Sequence, residues 1–276
     1  MQIEKKYSLV DAFSIYLDPR MLKILLIGSI SGFPWVLIGS SLSLWLKEDG
    51  LSRSTIGWAG LIFAVYAFNY LWAPLIDRIR IPFLTRKVGH RRGWIILMQI
   101  FIIFSLIAWS LISPIENLFS VISIGLIIAI ASATQDITLD ALRIEQINEN
   151  EGKVMQAGAA ISVVGWWTGY KLGGVLSLTI ADYMQTLGFN NYWQITFLIL
   201  CVIIVIFNIL LLFVNENNSL SRLQTQRHND LTIEKKFGEQ NVFKKPIIWI
   251  TSTVVSPIIS FFKKNGFKVA LAILSF

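Results

Sequence analysis

Between Glu116 and Asp136 the sequence carries no charged residue, and the apolar run then ends in two carboxylates, Asp136 and Asp140. A stretch of that length can cross a bilayer, which takes roughly 20 residues. Ionisable groups at membrane depth are costly, and they face a cavity, a partner charge or a transport path. Four residues apart on a helix, the two carboxylates share one face, and Arg143 joins them three residues later. The expectation is a membrane protein with a polar pathway, and solute transport is the first function it raises.

The rest of the chain repeats the pattern. The runs 24–46, 54–76 and 93–115 hold no Asp, Glu, Lys or Arg, and 117–141 carries the two aspartates at its far end. A fifth run, 154–181, is broken only by Lys171, and 192–214 is the sixth. Charged residues make up 15% of the chain, against about 25% in soluble domains, and they sit in short blocks between these runs. The sequence therefore predicts an all-α membrane protein with a six-helix transmembrane bundle over 24–214. Residues 1–23 form a cytoplasmic N-terminal segment. Residues 215–264 read as a cytoplasmic linker holding an interfacial helix at 246–262, and 265–276 as a stub of a seventh span.

Orientation follows from the basic residues. Of the 24 Lys and Arg residues, Lys47 and Arg53 alone fall on one side, and Lys171 lies inside the bilayer. The others occupy the N-terminus, the 2–3 and 4–5 loops and the tail after the sixth run. The positive-inside rule then puts both the N-terminus and 215–264 in the cytoplasm. This asymmetry also accounts for the net charge of +7, so a nucleic-acid partner is not needed to explain it.

Other function classes find little support. The single cysteine, Cys201, lies in an apolar run and reads as a small packing residue. The two histidines, His90 and His228, fall in charged loops, and no spacing fits a metal site. No nucleophile–base pair or phosphate-binding glycine loop is visible, so neither an enzyme nor a cofactor is expected. The opening Met1-Gln-Ile-Glu lacks the basic start of a cleavable signal peptide.

Six motifs stand in order along the runs: Gly28-Ser-Ile-Ser-Gly-Phe-Pro34, Thr55-Ile-Gly57, Leu71-Trp-Ala-Pro-Leu-Ile-Asp-Arg78, Arg91-Arg-Gly-Trp94, Ser132-Ala-Thr-Gln-Asp-Ile-Thr-Leu-Asp-Ala141 and Gly169-Tyr-Lys-Leu-Gly173. In this order and spacing the chain resembles the N-terminal half of AmpG-type muropeptide permeases of the major facilitator superfamily. The resemblance covers roughly 8–215 and, more weakly, 246–276. It implies proton-driven import of anhydro-muropeptides across the bacterial inner membrane for cell-wall recycling. Its partners are the lipid bilayer and a muropeptide-like solute. Another anionic solute, such as an acyl-coenzyme A, is the neighbouring expectation. In the Phe68-Asn-Tyr-Leu-Trp72 stretch the family pattern has a lysine where Asn69 stands, so one intramembrane charge is missing. The sequence stops within the seventh run. The resemblance therefore implies an incomplete transporter, either inactive or paired with a separately encoded C-terminal half, and no uptake by residues 1–276 alone.

Each candidate residue also has a structural reading. Asp77, Arg78, Arg91, Arg92 and Arg143 form either a cytoplasmic gate or simple topological anchors. Asp136 and Asp140 form either an ion-pair cluster with these arginines or a proton-coupling site, with the deeper Asp136 the better candidate. Gly165, Gly169 and Gly173 line one face of the fifth span, where small residues let helices pack closely. Gly32 and Pro34 bend the first span. Lys171 lies about 25 Å along the fifth helix, some 15 Å in depth from Asp136. It snorkels outward, pairs outside this chain, or faces a cavity that receives an anionic group.

Overall fold

The computed structural model describes residues 14–148, 150–216, 251 and 255–274. Within them the chain divides into two compact units, Met1–Phe68 with Ile81–Glu216, and Asn69–Arg80 with Asn217–Phe276. The expected cytoplasmic segment before residue 14 and most of the 215–264 linker lie outside the described residues.

The first unit is a helix bundle. Its first long helix, α1 (Pro19–Glu48), starts with Pro19 inside the first turn and with Asp18 accepting the Arg20 backbone N–H at 2.8 Å. Pro34 lacks the N–H that a continuous helix needs, and the helix relaxes into a π turn over Leu37–Ser41 immediately after it. The expected bend thus takes the form of a π turn. The second, α2 (Arg53–Leu71), is capped by the Ser52 side chain and contains a 3-10 stretch, Gly60–Phe63. Three more helices follow the pattern of apolar runs: α5 (His90–Trp109), α6 (Pro114–Ile144) and α8 (Tyr192–Leu211). Between α6 and α8 lies α7 (Gly152–Thr186), and the short α4 (Leu84–Val88) precedes α5, while the short α3 (Ala73–Arg78) falls in the second unit.

Two boundaries differ from the expectation. The second run does not continue as one helix to residue 76. It breaks at Trp72, because the Pro74 ring cannot follow the preceding turn of a regular helix, and restarts as α3. Among the described residues, five helices are long and apolar enough to cross a membrane: α1, α2, α5, α6 and α8. The sixth expected span, α7, has the length, at 35 residues or about 50 Å. It is less apolar because glycine, alanine and polar residues crowd the face it turns to α1.

That face is the tightest junction of the unit. A Cβ on Gly32 would collide with the backbone carbonyl of Trp166, and one on Gly28 with that of Ser162. In return, Cβ atoms on Gly165 and Gly169 would strike the carbonyls of Leu25 and Ser29, and one on Gly173 would lie 2.8 Å from the Phe33 ring. Two glycine stripes interlock, so the partner of Gly165, Gly169 and Gly173 is α1 of this chain. From the sequence alone this stripe could await a helix that residues 1–276 do not supply; that reading is corrected, since α1 fills it. Ser29 Oγ donates to the Gly165 carbonyl at 3.2 Å, and the Ser41 and Ser177 hydroxyls bond at 2.7 Å, adding polar stitches along the seam.

The remaining helices pack α5 on α6 and α8, with α6 also against α1. At one end Trp45, Trp109, Trp193 and Phe197 are fully buried and meet at ring distances of 5.0–6.0 Å. There Glu48 accepts from Tyr192 Oη at 2.9 Å and Trp193 Nε1 at 2.6 Å. Cys201 is buried as a free thiol, in keeping with a packing role. At the other end Arg20 bridges Asp18 and Glu151 at 2.6 and 2.7 Å. The Arg20 guanidinium and the Asn148 backbone N–H hold the Glu151 carboxyl down at about 2.

The second unit holds α3, α9 (Ser256–Asn265) and α10 (Phe267–Leu274). The expected interfacial helix runs three residues further than its apolar stretch, to Asn265. It stops where Gly266 takes φ +76 and its N–H bonds the Phe262 carbonyl at 3.0 Å. The parts of that expectation at 246–250 and 252–254 lie outside the described residues.

Candidate functional site

Asp136 and Asp140 open onto the same cleft, as their spacing on α6 requires. The cleft encloses about 250 Å³ between α1, α6 and α7 and is lined by Ile27, Gly28, Ser31, Leu139, Ser162, Val163 and Trp166 besides the two acids. Ser31 Oγ donates to Asp136 Oδ1 at 2.7 Å. One residue away, buried Gln135 donates to the Ile30 carbonyl at 3.0 Å, so α6 is pinned to α1 at the carboxylate and at the residue before it. The glycines explain why the cleft lies here. Without side chains at Gly28 and Gly165, α1 and α7 come together directly beside Ser31, which fixes the cleft wall.

The cluster of arginines and aspartates expected around Asp136 is not what forms. Arg143 bonds Asp140 at 3.2 Å across one turn, with Asp140 largely exposed, a pair worth at most about 1 kcal/mol. Arg91 pairs with Glu145 at 3.4 Å, both side chains nearly buried, and Arg92 approaches Glu216 at 3.9 Å. Among the described residues no salt bridge reaches Asp136. The reason is placement: the arginines lie at the helix ends, where Glu145 and Glu216 satisfy them, and Asp136 is more than a turn further in.

Glu216 does more than pair with a charge. Its carboxylate accepts the backbone N–H groups of His90, Arg91 and Arg92 at 2.8, 2.9 and 3.2 Å. It therefore caps α5 from a residue far along the chain. Gly89 before the helix has no side chain to do so, and the orphan N–H groups need an acceptor. Glu216→Ala is expected to speed hydrogen exchange at these three amides by about tenfold or more, from the loss of charge-assisted bonds worth roughly 1.5–3 kcal/mol. Unchanged exchange would remove the cap from the account.

Lys171 is exposed, and its ammonium lies over the rings of Trp167 at 5.4 Å and Tyr170 at 5.7 Å. Tyr170 stacks on Trp166 at 5.5 Å and 8°, and Trp166 meets Trp35 edge-on at 5.6 Å. An aromatic series thus runs from the Asp136 cleft to the lysine. Asn69 begins a 3-10 turn, and Asp77 and Arg78 end α3; all three belong to the second unit. Ser31, Ser162, Trp166, Glu145 and Glu216 escaped the sequence reading. For Ser31 the signal was present, a serine between two glycines in an apolar run. For Glu216 it was the uncapped start of α5.

Comparison with known proteins places this geometry. The model of the Major Facilitator Superfamily matches residues 24–275. The protein called AmpG 4 in Rickettsia conorii is 32% identical over 263 residues, which is 95% of this chain and 57% of that protein. The anhydromuropeptide permease of Escherichia coli strain K12 is 35% identical over 191 residues, 68% of this chain and 37% of that one. AmpG 1 of Rickettsia bellii is 34% identical over 212 residues, 74% and 48% of the two chains. The chain spans about half the length of these relatives.

Proposed function

Since the chain belongs to the Major Facilitator Superfamily, we propose that it forms the proton- and solute-binding wall of a secondary transporter that imports anhydro-muropeptides across the bacterial inner membrane. The observation that carries this reading is Asp136, a carboxylate bonded to Ser31 in an open cleft beside Trp166 and outside the arginine salt bridges. A carboxylate so placed can gain and lose a proton as solute enters and leaves, because no fixed cation holds it ionised. Asp140, pinned to Arg143, belongs to the mouth of the site.

The solute class comes from the name of the Escherichia coli relative, and the chemistry of the wall suits it. Sugar rings stack on aromatic faces such as Trp166, Trp167 and Tyr170, and Lys171 offers a cation for a peptide carboxylate. Facilitators bind solute between two six-helix halves, so the opposite wall belongs to a C-terminal half, on this polypeptide or another. Arg91, Arg92 and Arg143 with Glu145, Glu216 and Asp140 act as the cytoplasmic gate, and Asp77 and Arg78 belong to the same signature.

The test is uptake of labelled anhydro-muropeptide by permease-deficient cells that express the chain with a matching C-terminal half. Accumulation that an uncoupler abolishes is expected. Uptake of an acyl-coenzyme A in its place would assign another anionic solute, and no uptake of either would defeat the reading. Topology is tested separately: single cysteines at Ser52 and Thr225 should label from opposite faces of the membrane. Labelling of both from one face would overturn the cytoplasmic placement of the N-terminus and of 215–264.

A further inference from the structure

On α1, α2 and α6 four polar atoms are buried yet make no hydrogen bond: Trp35 Nε1, Tyr66 Oη, Ser132 Oγ and Gln135 Oε1. Ser132 and Gln135 are fully buried. A buried orphan of this kind costs about 1–3 kcal/mol, and three of them, Trp35 Nε1, Tyr66 Oη and Ser132 Oγ, gather near the Asp136 carboxylate. The four come from three helices, Trp35 from α1, Tyr66 from α2 and the other two from α6. Trp35 and Tyr66 are packed ring to ring at 4.4 Å. The Tyr66 hydroxyl neighbours that of Ser132 and lies within electrostatic reach of Asp136, and the Trp35 N–H is turned toward the same carboxylate. These approaches stop short of direct hydrogen-bond geometry. Buried donors and acceptors that face one another without bonding are the setting in which a bound water makes its usual three bonds.

We propose that Trp35, Tyr66 and Ser132 hold bound water against Asp136, making the carboxylate the inner end of a hydrated proton route between α1, α2 and α6. Trp35, Tyr66 and Ser132 are not among the residues that line the solute cleft. Protons and solute then reach one carboxylate by different ways. Tyr66 Oη and Ser132 Oγ can each accept and donate, so a proton can pass along them by rotation of hydroxyls without either group ionising. Trp35 Nε1–H donates only, and it fixes the water nearest Asp136 in one orientation. The titratable groups facing Asp136 are Tyr66 from α2 and Asp140 on its own helix, itself paired with Arg143. From α1 and α7 come Ser31, Ser162 and Trp166, none of which ionises in the working range.

The proposal rests on Asp136 as a protonatable site, and infrared difference spectroscopy on the whole chain in lipid nanodiscs separates the two. A pH step should raise the carbonyl stretch of a protonated carboxylic acid, and Asp136→Asn should remove it; failure here defeats the functional reading itself. With that band present, the route predicts an accompanying band of bound water that shifts in H₂¹⁸O and disappears in Asp136→Asn. Tyr66→Phe and Ser132→Ala should keep the carboxyl band but slow its exchange into D₂O by about tenfold, the loss of one bond in the relay. Ser41→Ala, which removes a buried hydroxyl bonded directly to Ser177, should leave the exchange rate unchanged. A carboxyl band with no isotope-sensitive water beside it would overturn the route whatever the variants do. So would exchange as fast in both variants as in the unaltered chain.

Discussion

Replacing Gly32 by alanine should cost the folded chain about 1–3 kcal/mol or more, while the same change at Gly174 should stabilise it by up to about 1 kcal/mol. The two substitutions add one identical methyl group to a helix. At Gly32 it would meet the carbonyl oxygen of Trp166, part of a helix backbone that has no rotamer to turn away. The collision can be relieved only by separating α1 from α7, and that breaks the contacts of Gly28, Gly165 and Gly169 at once. At Gly174 a Cβ finds nothing within 4 Å, so only the better helix propensity of alanine is left. Thermal unfolding of the detergent-solubilised chain reads both. Equal shifts of the same sign would mean that the glycine seam is not a close junction. The effect also reaches the site, because the seam sets the cleft beside Ser31.

Much of this architecture was legible in the sequence because membranes impose simple periodicities. The apolar runs became helices, the second of them broken at Trp72, and the four-residue spacing of Asp136 and Asp140 did put both on one cleft. What the sequence could not reveal was pairing across the bundle. The stripe Gly165–Gly169–Gly173 announced a close contact without naming the partner, and Gly28 and Gly32 carried the complementary signal in the first run. The arginines of the 2–3 loop were visible as charges. Their acceptors Glu145 and Glu216 were not, since either could have been an ordinary solvated residue until the fold brought it to α5. The break at Trp72 was signalled by Pro74, but hydropathy alone ran across it. For Lys171 the sequence left three alternatives open and did not reveal the aromatic faces of Trp167 and Tyr170, over which the ammonium lies.

In the uptake assay Asp136→Asn is expected to abolish uncoupler-sensitive accumulation, while Asp140→Asn keeps most of it. Asparagine preserves the size of the side chain and its ability to accept from Ser31, but it cannot take a proton. The solute can therefore still bind, and the gradient loses its handle on the cycle. Asp140 is mostly exposed and shares an exposed pair with Arg143, so removing its charge gives up at most about 1 kcal/mol of pairing. Proton-driven uptake by Asp136→Asn together with its loss in Asp140→Asn would reverse the two roles.

The central claim is that solute and proton meet at Asp136, and counting protons on binding addresses it most directly. Anhydro-muropeptide is titrated calorimetrically into the chain reconstituted with a matching C-terminal half, in buffers that differ in ionisation enthalpy. The slope of the binding heat against that enthalpy is the number of protons taken up. The account predicts a value that rises toward one per solute as the pH is raised through the titration of Asp136, with affinity falling about tenfold per pH unit beyond it, and a value of zero in Asp136→Asn. A binding heat that does not depend on the buffer at any pH, with the unaltered aspartate in place, would contradict it.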